Sequence, residues 1–434
     1  PAYTAIYNEL FTNGIGYLDI VFDFGRLPME YVPYVGLLKY VLSFMDTDRK
    51  YTELNTDIDM NLGGLLFGSG IYVNSLEKTA RYEVEVHTKA LDNKLGKAVG
   101  VIKEVITKTD FSDEKRLKEI LEETKSRLNK IIIQSGNIAS RMRAVSDYSE
   151  DYYIREQTSG IAFYKFIEDI LENYDTCKVE VMNKLSDTMK YIFRKDNMII
   201  NYAGSRDSYE NVKDYISELQ DSMYEPTDFE PYFNGWKFEP TEKNEGFITS
   251  GQVQYVSRCG NYKEDSSEFF DGSMQVLSNI MSSEYLWNNI RVLGGAYGCN
   301  CSVTRSGDVM FSSYRDPNLK RTSDVYLNAP DFIAQFEASD REMRKYIIGT
   351  ISNMDTPLSA ADRSGREFTQ YMSKTSYEML KKERKDVLKT DVEKIRSLAP
   401  KFKKALEKNH ICVVGGKSAI TSDEDLFNEI KELG

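Results

Sequence analysis

Arg291 and Tyr297 flank a glycine pair in the segment RVLGGAYGCNC, residues 291–301. Arginine offers a rigid fork of N–H donors and tyrosine one phenolic hydroxyl. Such a pair suits a peptide carbonyl, or the oxyanion that hydrolysis makes of it. The competing reading is an arginine paired with an acid and a tyrosine on a sheet surface. Gly294 and Gly295, with Gly298 just beyond, suit a turn from helix into strand, where positive φ or close backbone approach is required. For the glycines alone this scaffold role is favoured.

Nothing nearby completes a catalytic set. The chain has two histidines, His87 and His410, and neither stands near a nucleophile in sequence. Glu83, Glu85 and His87 alternate along EVEVHTKAL and offer metal-binding groups, but metal sites usually draw ligands from several elements. A solvated strand face is favoured. Cys299 and Cys301 share a predicted strand face, with Cys259 and Cys412 on other predicted strands. A thiolate site is conceivable there, and the small buried hydrophobe is the commoner role. GGKS at 415–418 lacks the first glycine of a phosphate loop, because Ile411 stands in its place.

The elements that must position these residues are read from periodicity. GIGYLDIVFDF (14–24) alternates Leu18, Ile20, Phe22 and Phe24 against Tyr17, Asp19 and Asp23, which predicts a strand. Pro28 suits the first turn of a helix with Val35, Leu38 and Leu42 on its apolar stripe. A short helix to about Asp59 precedes two strands in NLGGLLFGSGIYVN and RYEVEVHTKAL. Helices follow from Ser112, a predicted cap, to Asn173; DNMIINYAG is a strand, and Val212, Tyr215, Ile216 and Leu219 mark a closing helix.

The order then restarts. FITSGQVQYVSRC reads as a strand, helices run from about Glu268 to Asn289, and the Arg291 segment leads into two strands. Helices occupy roughly Asn318 to Lys408, NHICVVGG is a strand, and a helix capped at Ser422 closes the chain. NLGGLL matches VLGGAY, and DNMIINYAG matches KNHICVVGG, so an internal duplication is expected. In the first match Met60 and Leu66 stand where the second copy has Arg291 and Tyr297. The expected fold class is α+β, as two homologous domains, each a mostly antiparallel sheet with helices packed on one face. The first spans 1–225, a proline-bearing linker 226–245, and the second 246–434.

Composition bounds the function. Of 434 residues 41% are hydrophobic and 29% charged, as in soluble globular proteins, and the net charge of −12 argues against nucleic acid as a partner. The longest apolar stretch, Val32 to Phe44, contains Lys39 and is too short to span a bilayer, so no membrane partner is expected. Five scattered cysteines suggest reduced thiols and a cytoplasmic location. The chain opens at Pro1, as a processed or cut piece would.

IRVLGGAYG resembles the Arg-x-x-Gly-Gly-Ala-Tyr-Gly segment in the C-terminal half of presequence protease-like zinc peptidases of the pitrilysin/insulinase superfamily, a group that includes falcilysin. NGIGYLDIVFDFGRLP with DMNLGGLLFG resembles the start of that family's third domain, and SGQVQYVSRCGNY the first strand of its fourth. Cys299 departs from the pattern, since many relatives keep a glycine there. The resemblance implies one half of a peptidase that closes around unfolded peptides. Zinc is then expected in a missing N-terminal half, on an H-x-x-E-H helix that this chain lacks, and no cofactor in the chain itself. Arg291 and Tyr297 would hold the scissile carbonyl, and the chain alone would be inactive. Two alternatives stay open: a non-catalytic structural or peptide-holding member of the superfamily, and a self-sufficient metalloenzyme.

Overall fold

The computed structural model describes residues 3–226, 235–263 and 268–433. Its framework is two β-sheets. The first contains β1 (Thr4–Glu9), β2 (Ile15–Asp23), β3 (Leu65–Asn74), β4 (Thr79–Leu91) and β5 (Ile199–Gly204), in the order β1-β5-β2-β4-β3. All neighbours are antiparallel except β1 and β5. β2 forms because its alternation is strict: Leu18, Ile20 and Phe22 are fully buried against the helices, as are Val84 and Val86 of β4 beside them.

The second sheet contains β6 (Glu245–Thr249), β7 (Tyr255–Asn261), β8 (Gly298–Val303), β9 (Asp308–Tyr314), β10 (His410–Gly416) and β11 (Glu429–Glu432), in the order β11-β6-β10-β7-β9-β8. With β6 to β10 read for β1 to β5, the strand order repeats, including the parallel outer pair of β6 and β10. The duplication is thus written in the topology. The short sequence matches are not its structural register. The alignment that superposes the glycine pairs sets Gly68 and Gly70 against Cys299 and Cys301. Gly68 and Gly70 pair with Glu85 and Glu83 on the face away from the first core, whereas Cys301 enters the second core beside Phe311. A one-residue slip reverses a strand's faces. The second match fails likewise, since Ile199 packs with Phe368 outside the first core and Ile411 lies inside the second.

Helices cover one face of each sheet, and a helix from the opposite repeat crosses the other. Gly136–Val145 lies across β7, β9 and β10. There Ser140 and Ser257 share a 2.8 Å hydrogen bond, and a Cβ on Gly136 would collide with the Tyr255 ring. Arg143 donates to both carboxylate oxygens of buried Glu245 (2.6 and 3.0 Å) and to buried Glu156 (3.2 Å), so the charges taken out of water are paired. Reciprocally, Ala360–Met372 lies on β3 and β5, with Phe368 and Met372 packed on Val21.

Four local expectations change. β1 was not foreseen, because its six residues carry no clean alternation and its ladder depends on distant β5. FITSGQVQYVSRC is two strands, broken between Thr249 and Tyr255, where the amide of Gly251 bonds the Thr249 hydroxyl at 3.2 Å. Asp113, not Ser112, caps its helix, accepting from the Arg116 amide. Ser422 ends the Lys417–Ser422 helix and the chain continues to β11. Residues 227–234 of the expected linker lie outside the described residues; beyond them Trp236 Nε1 donates to the Leu27 carbonyl at 2.8 Å.

Candidate functional site

Arg291 sits in the last turn of a π-helix, Met281–Val292, that continues the Ser273–Ile280 α-helix. The wide spiral closes where the Leu293 amide donates to Asn288, five residues back, at 3.0 Å. Ser282 Oγ accepts from the Cys301 amide (3.0 Å), and the Ser278 hydroxyl donates to the Cys301 carbonyl (2.7 Å). These serines satisfy the outward groups of edge strand β8 and fix the helix against it.

The glycine pair does what the turn demands. Gly295 has φ of 82°, a left-handed conformation, and a Cβ on Gly294 would collide with the Ile290 carbonyl oxygen. The Gly295 amide donates to Arg291 (2.9 Å), the Ala296 amide to Ile290 (3.0 Å), and Asn318 Nδ2 to the Gly294 carbonyl (2.6 Å). Gly298 belongs to the strand rather than the turn: it is the first residue of β8, opposite Tyr314, and has ordinary room for a Cβ.

Arg291 and Tyr297 come together. Arg291 Nη1 donates to the backbone carbonyl of Tyr297, and its guanidinium lies 5.5 Å from the Tyr297 ring centroid. The Tyr297 ring meets Tyr314 at 5.8 Å with planes at 65°, and its amide donates to the Tyr314 carbonyl at 3.1 Å. Tyr297 is 66% exposed. Among the described residues its hydroxyl has no hydrogen-bond partner and no carboxylate pairs with Arg291. The structural reading of an arginine tied to an acid therefore does not describe this corner. Its chemistry is that of free donors, a phenol and the unused arm of a guanidinium, on a rigid turn.

Trp287 was missed. Its ring lies 4.4 Å from the Arg291 guanidinium, the closer of that side chain's two aromatic contacts. One tryptophan four residues before an arginine on a predicted helix was the available signal, and only the helix's geometry turns it into a contact.

The other candidates separate. Glu83, Glu85 and His87 do not form a solvated face, since Glu83 is fully buried. His87 lies between Asp19 (Nδ1 to Oδ1, 2.9 Å) and Glu85 (Nε2 to Oε2, 3.2 Å), and the Tyr72 hydroxyl donates to Glu85. Burial alone would lower the His87 pKa, but the hydrogen bonds to Asp19 and Glu85 raise it to about 10. Burial pushes the Glu83 carboxyl up to about 7. Asn201 extends the network from Asp19 to Ser364 on the crossing Ala360–Met372 helix.

The cysteines do not converge: Cys301 lies in the second core, whereas Cys259 and Cys412 face the crossing Gly136–Val145 helix. All five are unpaired, and burial raises the Cys299 thiol to about 11. His410 is buried against the Tyr148 ring, 3.8 Å from Asp147. Gly415 is closed off by Gln254, whose side-chain oxygen accepts the Gly416 amide at 2.9 Å. Among the described residues no group of three or more His, Cys, Asp or Glu is arranged to hold a metal, and no helix is long and apolar enough to cross a membrane.

Comparison with known proteins places these features in a wider frame. Residues 2–170 match the family described as associated with peptidase M16, subfamily C, and residues 244–417 match the PreP C-terminal domain. Protein HypA of Clostridium perfringens is 37% identical over 433 residues, covering 99% of this chain and 44% of that protein. Presequence protease 1 of Arabidopsis thaliana is 26% identical, over 96% of this chain and 38% of its own length. The chain thus spans less than half the length of these relatives. Among solved structures, a peptidase M16 inactive domain from Pseudomonas fluorescens superposes with a TM-score of 0.64 at 14% identity, covering 96% of each chain. A conserved protein from Enterococcus faecalis superposes with a TM-score of 0.69 at 13% identity, over 96% of this chain and 98% of that one.

Proposed function

Because the chain belongs to the pitrilysin peptidase family, as the C-terminal half of a presequence protease-like member, we propose that it is the substrate-binding half of a zinc endopeptidase that degrades unfolded peptides. The observation that carries this reading is the Tyr297 phenol, exposed and unpartnered, beside a guanidinium that no acid neutralises. When a peptide enters, the phenol and the free arm of Arg291 donate to the oxygen of the scissile carbonyl. Their hydrogen bonds strengthen as charge develops on that oxygen, so they favour the transition state over the bound substrate.

The residues of this chain do not fit zinc, so the metal and the general base are assigned to an N-terminal half, and no step is derived through them. Partners are that half and extended peptides. The unpaired cysteines support a reducing, cytoplasmic setting. The test is steady-state kinetics of Tyr297→Phe in the chain joined to its N-terminal half. Loss of one such donor costs about 2.7–4 kcal/mol of transition-state stabilisation, so kcat falls far more than KM rises. A peptide-holding protein without peptidase activity would instead bind the same peptides and show no turnover to lose.

A further inference from the structure

We propose that Trp287 is a positioning residue of this corner, an inference that rests on the carbonyl-binding reading above. Arg291 is a long side chain near the surface with no carboxylate to hold it among the described residues. Left to itself it would lose considerable rotamer freedom on meeting a substrate. Two contacts fix it instead. Its guanidinium lies 4.4 Å from the Trp287 ring centroid, well inside cation–π range, and one arm of its fork donates to the Tyr297 carbonyl. A continuous row of contacts results: Trp287, Arg291, Tyr297 and Tyr314, the last pair at 5.8 Å.

The π-helix aligns the first pair, and the serine contacts to Cys301 hold the π-helix on β8. Trp287 is 44% exposed, and among the described residues its indole N–H makes no hydrogen bond, so the ring is retained there at the expense of burial. In the first repeat Thr56 holds the matching position and Met60 that of the arginine. The tryptophan and the cation therefore occur together or not at all. Trp287 acts through Arg291: it holds the guanidinium against the Tyr297 carbonyl and so sets where the phenol stands when a peptide arrives.

The test combines kinetics with a spectroscopic readout. In the chain joined to its N-terminal half, Trp287→Leu, which keeps bulk but removes the π face, lowers kcat about fivefold with little change in KM. Trp287→Phe retains most of the rate, because an aromatic face remains. Arg291→Ala lowers kcat on the order of 100-fold, and adding Trp287→Leu to it costs nothing further. The chain has two tryptophans, so labelling with 5-fluorotryptophan gives two fluorine resonances, and Arg291→Ala shifts that of Trp287 while leaving that of Trp236. A wild-type kcat in Trp287→Leu alongside a slow Arg291→Ala overturns the positioning role and leaves the function standing. Independent, multiplying losses in the double variant do the same. A wild-type kcat in Arg291→Ala overturns the functional reading itself, and the positioning role falls with it.

Discussion

The two repeats meet the same backbone problem at Gly63-Gly64 and at Gly294-Gly295 and dress it differently. In both, the second glycine adopts positive φ, 115° at Gly64 and 82° at Gly295, and the chain passes from helix into an edge strand. At the first corner Met60 and Leu66 are 71% and 67% exposed and offer no donor. At the second, an aromatic row holds a guanidinium beside a free phenol. The backbone is what the duplication preserves, and the side chains are what the second copy adds. The same contrast separates the outer sheet faces. The first sheet carries a buried polar network there, whereas the second presents Tyr255, Met310, Cys412 and Val414 to the crossing helix.

The comparison is sharpened most by erasing the second copy's additions. Arg291→Met with Tyr297→Leu, which rebuilds the first corner in the second, lowers kcat of the joined enzyme by about 100- to 1,000-fold. Thermal unfolding moves little, because both side chains lie near or at the surface. Next in size is the turn itself. Gly294→Ala drives a methyl into the Ile290 carbonyl and costs about 2 kcal/mol by denaturant titration. Gly63→Ala meets only the flexible Lys89 side chain and costs less than about 1 kcal/mol. Equal costs would show that the two turns are not built alike.

The polar face predicts a pH dependence that only the first sheet contributes. Two folded-state pKa values are raised, Glu83 from 4.5 to about 7 and His87 from 6.5 to about 10. A group raised in the folded state stabilises below its unfolded pKa, and that contribution is lost as pH rises through the folded value. Unfolding followed by circular dichroism therefore shows stability declining from about pH 4.5 to 7 through Glu83 and from about 6.5 to 10 through His87. Glu83→Gln removes the first decline and His87→Gln the second, and an unchanged profile in both variants contradicts the network. The smallest effect is the reverse graft. Met60→Arg with Leu66→Tyr leaves stability within about 0.5 kcal/mol and does not restore turnover to Tyr297→Phe.

Much of this was legible in the sequence where the signal is local. β2 announces itself through Leu18, Ile20 and Phe22, the corner through its glycines, and the duplication through repeated element order. What escaped depends on distant partners. Glu83, Glu85 and His87 look like a wet face because alternation reports which residues share a side, not what covers it, and the Ala360–Met372 helix comes from the other repeat. β1 needs β5 to be a strand at all. Sequence identity also misled at short range, since the matched glycine corners continue into strands of opposite facing. Arg291 and Tyr297 were visible, but their contact, and Trp287 behind it, required the π-helix.

The most direct test of the central claim, that the second corner is half of an active site, is an add-back experiment. The purified chain is mixed with the zinc-loaded N-terminal half and cleavage of an unfolded peptide is followed over time. Neither half alone should cleave, the mixture should, and the mixture made with Tyr297→Phe should be slower by two to three orders of magnitude, or about 100- to 1,000-fold. Chelator-sensitive cleavage by the chain alone, or a Tyr297→Phe mixture as fast as the wild type, would contradict it.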